Sequence, residues 1–287
     1  MKIGKQEIGK GSPVFVIAEI GINHNGDLET AKKLIVAAKQ AGCDAVKLQK
    51  RTIDVVYTRE ELAAPRETPF GKTNGDLKRG LEFSQEDYRE IDRLCKETDI
   101  LWSASPWDEA SADFLAGFDV PFYKIAAASL TDAGLLKKVK AYGKPVILST
   151  GMSELSEIDK AVALLDKENL LLLHCVSQYP AEPENIHLRV IDTLRERYNV
   201  PVGYSGHEMD TFISVAAVAM GACAVERHFT LSRSMWGSDQ KASIEPDEMA
   251  ELVKSIRIVE QAMGESVPRC LPVEVPVKNK LRRVESL

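Results

Sequence analysis

At 287 residues the chain has room for two ordinary domains or for one α/β barrel, the architecture that closes as a single unit at this size. Its formal charge of −6, without a basic block or an aromatic-interleaved Lys/Arg stripe, excludes nucleic acid and anionic membrane as electrostatic partners, and no apolar run nears the length of a membrane span. Five scattered cysteines without a CxxC pair, and no recognisable signal peptide, argue against a disulfide framework and for a reducing cytoplasm.

The first segment, residues 1–12 (MKIGKQEIGKGS), has short alternating halves and glycine turns, and reads as a β-hairpin able to plug the bottom of a barrel. Eight short runs rich in Val, Ile and Leu then follow: VFVIAEI, DAVKLQ, ILWSAS, PFYKIA, PVILST, LLLLHC, PVGYS and CAVERH. Amphipathic helical patterns separate them, such as LETAKKLIVAAKQAG, and SQEDYREIDRLCKET with its capping-box pair Ser84 and Asp87 or Glu86. Strands apolar on both faces, each followed by a helix, mean a parallel sheet, and eight such units predict a (β/α)8 TIM barrel as the single domain of residues 1–287. The lack of GxGxxG and Walker A runs counts against an open nucleotide-binding sheet. Arg51 to Gly80 is a Pro-, Gly- and charge-bearing insertion of the kind that covers an active site, and residues 267–287 read as an exit segment.

Barrel enzymes carry catalytic groups at the carboxyl ends of their strands. Here those ends hold, in chain order, Glu19; Lys47 and Gln49; Ser103 and Ser105; Lys124; Ser149 and Thr150; His174, Ser177 and Tyr179; Ser205 and His207; Glu226 and His228; Asp239 follows in the loop WGSDQ. Two lysines aimed at one mouth would repel each other unless they bind a phosphate or carboxylate among hydroxyl donors. One of them could instead serve as a Schiff-base lysine, or both could pair with barrel glutamates. His207 and His228, on adjacent strands, could grip a divalent metal, whereas His174 and His187 read as packing residues. The cysteines at 43, 175 and 223 sit in apolar stretches and read as small hydrophobes. In AEIGINHNGD, Glu19 reads as a carboxylate for substrate contact or proton movement, Asn23 as shaping the site, His24 as packing behind it, and Asp27 as a helix cap.

The runs AEIGINHNG, AVKLQ, YKIA, LSTGMS, LHCVSQYP, GYSGH, ERHFT and GSDQ together resemble the sialic acid (N-acetylneuraminate) synthases and their legionaminic and pseudaminic relatives, from about residue 13 to about residue 265. The resemblance implies a metal-dependent condensation of phosphoenolpyruvate with an open-chain sugar aldehyde such as N-acetylmannosamine, giving a 3-deoxy 2-ulosonic acid and phosphate by C–O cleavage. It implies that Lys47, Ser105, Lys124, Ser149, Ser205 and Tyr179 hold the phosphate and carboxylate, with Ser177 and Asn74 as further substrate contacts. His207 and His228 would bind Mn2+, with Mg2+ or Co2+ as substitutes, and Glu19, Gln49 and Asp239 would contact sugar hydroxyls and the attacking water. A Schiff-base pyruvate aldolase on Lys47 or Lys124, and a non-catalytic sugar- or phosphate-binding barrel, are the alternatives; a homodimer is compatible with all three.

Four departures from the family pattern stand out: Ala127 for a phosphate-facing serine, with Ser129 as a replacement donor; Gly206 for an aspartate; Ser177 for an asparagine; and GSDQ for GPDH. The sequence stops at KNKLRRVESL, about where the family's linker to a C-terminal antifreeze-like domain begins. In full-length members that domain supplies an arginine to the sugar's N-acetyl group across a swapped dimer. The expectation is therefore either a truncated chain or a compact member whose acceptor lacks the N-acetyl group or is recognised otherwise.

Overall fold

The computed structural model describes residues 1–284, so the last three residues of the predicted exit segment lie outside the described residues. The chain opens with a hairpin, β1 (Lys2–Ile3) and β2 (Gln6–Glu7), in the antiparallel register Lys2 to Glu7. The barrel strands are β3 (Phe15–Gly21), β4 (Ala45–Lys50), β7 (Leu101–Pro106), β8 (Tyr123–Ile125), β9 (Val146–Ser149), β10 (Leu170–Cys175), β11 (Val202–Gly206) and β12 (Ala224–His228); a small hairpin, β5 (Pro65–Thr68) and β6 (Gly71–Thr73), interrupts them. All eight barrel strands are parallel, in the order β7-β4-β3-β12-β11-β10-β9-β8, and β7 meets β8 where Ser103 Oγ donates to Phe122 O at 2.5 Å. The predicted TIM barrel is thus the fold, with its ring nearly closed.

Side-chain alternation divides the core in two. Val16, Ala18, Val46, Leu48, Leu170 and Leu172 face the surrounding helices, while Phe15, Ile17, Ala45, Phe122, Ile147, Leu171, Leu173 and Ala224 fill the barrel interior. Ile3 and Ile8 join the interior cluster, so the predicted hairpin does plug the floor.

The helices follow their sequence signals. Asp27 caps Leu28–Gln40 by accepting from Thr30 N at 2.9 Å, and Ser84 pairs with Asp87, not Glu86, in the capping box of Gln85–Glu97. The insertion is not the long loop its composition suggests: it folds into short helices Ile53–Val56 and Arg59–Ala63, the β5–β6 hairpin and helix Asn74–Leu81. Gly26, at φ +74°, is where it docks, since a Cβ there would collide with the Gly80 carbonyl. The exit segment carries a short exposed helix, Val275–Leu281, and adds no barrel unit. Among the described residues no helix is long and apolar enough to cross a membrane.

Candidate active site

Continuing the inward alternation above the apolar layers brings Glu19, Lys47, Lys124, Ser149, Ser205 and Glu226 into one buried ionic layer. Lys47 Nζ lies 2.6 Å from Glu19 Oε2 and donates to Ser105 Oγ at 3.0 Å; Gln49 Nε2 donates to Glu19 Oε1 at 3.1 Å. Lys124 Nζ donates to Ser149 Oγ at 2.8 Å and lies 3.3 Å from Glu226 Oε1, which also accepts from Ser205 Oγ at 3.1 Å. Each lysine thus has its own glutamate, the pairing that the sequence leaves open beside anion binding.

The two glutamates are not equivalent. Burial raises the Glu19 carboxyl above its usual range, and Lys47 at 2.6 Å offsets only part of that, with Glu226 adding to the rise. Burial works the same way on Glu226, but the ammonium groups of Lys124 and Lys47 outweigh it and hold this carboxyl well below the usual range. Lys124 is itself pushed down, by burial first, with Glu226 opposing. Glu19 is thus the carboxyl suited to carry a proton, and Glu226 the fixed anion.

Above this layer, His207 and His228 have ring centroids 5.4 Å apart, and the Tyr179 ring, about half exposed, lies 4.2 Å from His207. Burial lowers both imidazoles, His207 to about 4, with Asp239 working the other way on His228. His207 Nδ1 meets Val176 O at 2.7 Å, which leaves Nε2 to face a ligand, and the buried His228 Nδ1 has no partner among the described residues. Two neutral imidazoles, one with an orphaned nitrogen, fit a divalent ion as donors. No third His, Cys, Asp or Glu among the described residues is placed to complete a cluster with them. His174 is a packing residue as expected, its Nε2 on Ile186 O at 2.6 Å.

The stretch after β3 holds the rim. Asn23 Nδ2 donates to Phe229 O at 2.9 Å and Ser243 Oγ at 2.8 Å, fastening this turn to the loop after β12, and His24 stacks on Phe83 with its imidazole pushed by burial down to about 3. Gln240 is buried and donates to Asn23 O and Trp236 O, both at 3.2 Å, so at this position the GSDQ variant pins the loop from beneath.

Asn74 is bonded inside the insertion. Its amide donates to Glu61 O at 3.1 Å and accepts from Arg66 Nη1 at 3.4 Å, both within the insertion. Ser177 lies near the ring of polar groups, its Oγ and Cys175 Sγ occupying the space a side chain at Gly151 would need. Cys175 lies beside Lys124 and Ser149 in the ionic layer and not among helix-facing apolar groups. Gly206 has a similar cause: a Cβ there would meet the Glu208 carboxylate at 2.6 Å. Glu208 in turn accepts from Tyr204 Oη at 2.8 Å, Ser214 Oγ at 2.9 Å and Arg227 Nη1 at 3.1 Å, a buried network behind His207. The Glu208 carboxylate thus occupies the space beside Gly206, where the family pattern carries an aspartate.

The chain matches the NeuB family over residues 34–268. It belongs to the NeuB family. Among NeuB relatives, it is 41% identical to the human N-acetylneuraminate-9-phosphate synthase over 279 residues, covering 96% of this chain and 78% of that protein. It is 36% identical to the N,N'-diacetyllegionaminic acid synthase of Legionella pneumophila, covering 96% and 80%. Its fold superposes on a crystal structure of the N-acetylneuraminic acid synthetase of Leptospira borgpetersenii in complex with citrate, at a TM-score of 0.87 and 31% identity over 99% of this chain and 98% of that one.

Proposed function

We propose that the chain condenses phosphoenolpyruvate with an open-chain aldose to give a 3-deoxy 2-ulosonic acid and inorganic phosphate. The observation that carries this reading is the pair of buried lysines, each beside a serine hydroxyl and a glutamate, at the carboxyl ends of the barrel strands. Such a layer is costly to bury and suits a substrate carrying a phosphate and a carboxylate. Because Glu19 accepts a proton more readily than an ordinary carboxyl, Lys47 can be released from it to an incoming anion. Ser105, Ser149 and Ser205 then turn their hydroxyls to the same oxygens.

In the reaction, the enol carbon of phosphoenolpyruvate attacks the aldehyde carbon, the new alkoxide takes a proton, water adds to the resulting oxocarbenium carbon, and the C–O bond to phosphate breaks. Glu19 is the group that gives and regains the proton, with Gln49 holding its second oxygen at 3.1 Å. His207 and His228 would hold a divalent ion, Mn2+ by preference, which supplies Lewis-acid polarisation of the aldehyde oxygen. Tyr179 and Asp239 border that pair and orient the sugar.

The test is phosphate release and mass spectrometry of the organic product with phosphoenolpyruvate, an aldose panel and a divalent metal. Release is expected only with all three, and in heavy-oxygen water the phosphate should stay unlabelled. Labelled phosphate would overturn the C–O cleavage, and release surviving exhaustive chelation would overturn the role of the two histidines.

The lowered Lys124 ammonium is what a Schiff-base pyruvate aldolase would need. Borohydride treatment with pyruvate should leave Lys124 unmodified under the synthase reading; an adduct at that residue would replace it.

A further inference from the structure

Arg227 is the largest fully buried side chain among the described residues, and it lies one residue before His228 on the helix-facing side of β12. Alternation puts apolar residues such as Val225, and Tyr204 on β11, on that side. There Arg227 pairs with Glu208, the residue after His207, with Nη1 3.1 Å from Oε1 and both side chains buried. A buried pair of this kind rarely repays the desolvation of its charges, and Arg227 Nε has no partner among the described residues. Stability therefore gives no reason for the pair; its position beside both histidines gives another.

The ladder between β11 and β12 runs from Tyr204 opposite Val225 to Gly206 opposite Arg227 and stops there, one residue short of both histidines. His228 is held in register with Glu19 on its other side. His207 is tied on the β10 side, where Nδ1 meets Val176 O at 2.7 Å and its carbonyl accepts from Ala181 N at 3.0 Å. On the β12 side Arg227 makes the link. Its Nη1 donates to Asp210 O at 2.7 Å and its Nη2 to Glu208 O, so the guanidinium grips the backbone of the turn after His207. Nη1 also donates to Ser214 Oγ at 3.0 Å, which anchors that turn to helix Phe212–Ala219. The second Glu208 oxygen accepts from Tyr204 Oη at 2.8 Å and fixes the carboxylate to the strand that precedes the turn. Gly206 makes this closure possible, since a Cβ there would meet the Glu208 oxygens at 2.6 and 2.7 Å and Tyr204 Cε1 at 2.8 Å.

We propose that Glu208 and Arg227 are positioning residues that set the separation of His207 and His228, and with it the affinity of that pair for a divalent ion. No third His, Cys, Asp or Glu among the described residues clusters with the two imidazoles, so they hold an ion only as well as their spacing allows. The rigid guanidinium fork suits this task, because it engages a carboxylate and two backbone carbonyls at once, which an ammonium does not. The proposal rests on the synthase reading for the assignment of the ion to this pair.

The test is the binding of Mn2+ alone, without substrates, to the metal-stripped intact chain, measured by calorimetry and by the electron paramagnetic resonance of free Mn2+. Glu208→Gln, Arg227→Met, their combination and Arg227→Lys are compared with Leu115→Ala, which opens a cavity under helix Glu109–Ala116 on the opposite side of the ring. Glu208→Gln and Arg227→Met should each weaken Mn2+ binding by about tenfold or more, and the double variant should lose about as much as either alone. Arg227→Lys should recover only part of the loss. Leu115→Ala should lower the melting temperature and leave Mn2+ affinity within about twofold of the intact chain.

Should Arg227→Met not fold, Glu208→Gln decides alone, because it keeps the shape of the side chain. Mn2+ affinity unchanged by Glu208→Gln and Arg227→Met, or weakened as much by Leu115→Ala, overturns the proposal, and so does an intact chain that binds no Mn2+. Binding weakened only in the Glu208 and Arg227 variants supports it even if no aldose is consumed and the synthase reading falls. Phosphate release by an intact chain whose variants bind Mn2+ normally keeps the synthase reading and removes the positioning role.

Discussion

The floor and the upper interior of the barrel are built from the same eight strands with the same alternation, yet they hold opposite chemistry. Phe15, Ile17, Phe122, Ile147, Leu171 and Leu173, sealed by Ile3 and Ile8, fill the lower layers, while Glu19, Lys47, Lys124 and Glu226 fill the next layer up. Burying apolar area stabilises the fold at about 25 cal/mol per Å2. Burying paired charges roughly breaks even at best. One half of the interior holds the barrel together, and the other keeps ionic groups that stability alone would not select.

That contrast can be broken deliberately. Lys124→Met leaves Glu226 buried without its closest cation and should cost about 3–5 kcal/mol in urea denaturation, whereas Lys124→Met combined with Glu226→Leu should be neutral or gain about 1–4 kcal/mol. If the double variant is as unstable as the single one, the upper layer is contributing to stability after all. Lys47→Met and Lys124→Met should each lower the rate of phosphate release at saturating substrates by about 10²–10³-fold, measured per folded molecule. On the floor, Leu171→Ala should cost about 2–5 kcal/mol of stability with kcat/KM within about twofold of the parent, and a larger loss of activity would mean that the two halves are mechanically coupled.

A further effect is in the pH dependence of stability. His24 is buried neutral and pushed down to about 3, so between pH 6.5 and that value the unfolded chain binds a proton that the fold refuses. Stability should therefore fall with pH across this window. His24→Gln should flatten the decline by at most about 1.4 kcal/mol per pH unit, read from denaturation midpoints at several pH values.

The strands and the plug were legible because a strand buried on both faces must be apolar throughout, and the site was legible because polar residues interrupt those runs only near their carboxyl ends. Glu19 beside Lys47 follows from neighbouring strands. Lys124 with Glu226 does not, because β8 and β12 are not neighbours in the ring and their side chains meet across its interior, a contact that no local pattern encodes. Glu226 was therefore noted at its strand end without a role. The insertion's short elements were hidden for another reason: segments of three to five residues are too brief to show a period. Asn74 illustrates the limit, since the family resemblance implies a substrate contact there while its amide is bonded within the insertion itself. Gly206 shows the converse, an apparent loss explained by a carboxylate the turn folds back into the same space.

The register of β3 against β12 has a consequence for how the protein is made. Glu19 lies on the first barrel strand to be synthesised, and its partner in the ladder, His228, emerges about 200 residues later, or roughly 10–40 s at usual ribosomal rates. Until then the ring cannot close, the first strand has an open edge, and no nascent fragment can bring the carboxylate and the imidazole together. Competence arises in a single late event, so premature termination before β12 would yield an incomplete ring without the His228 half of the candidate centre.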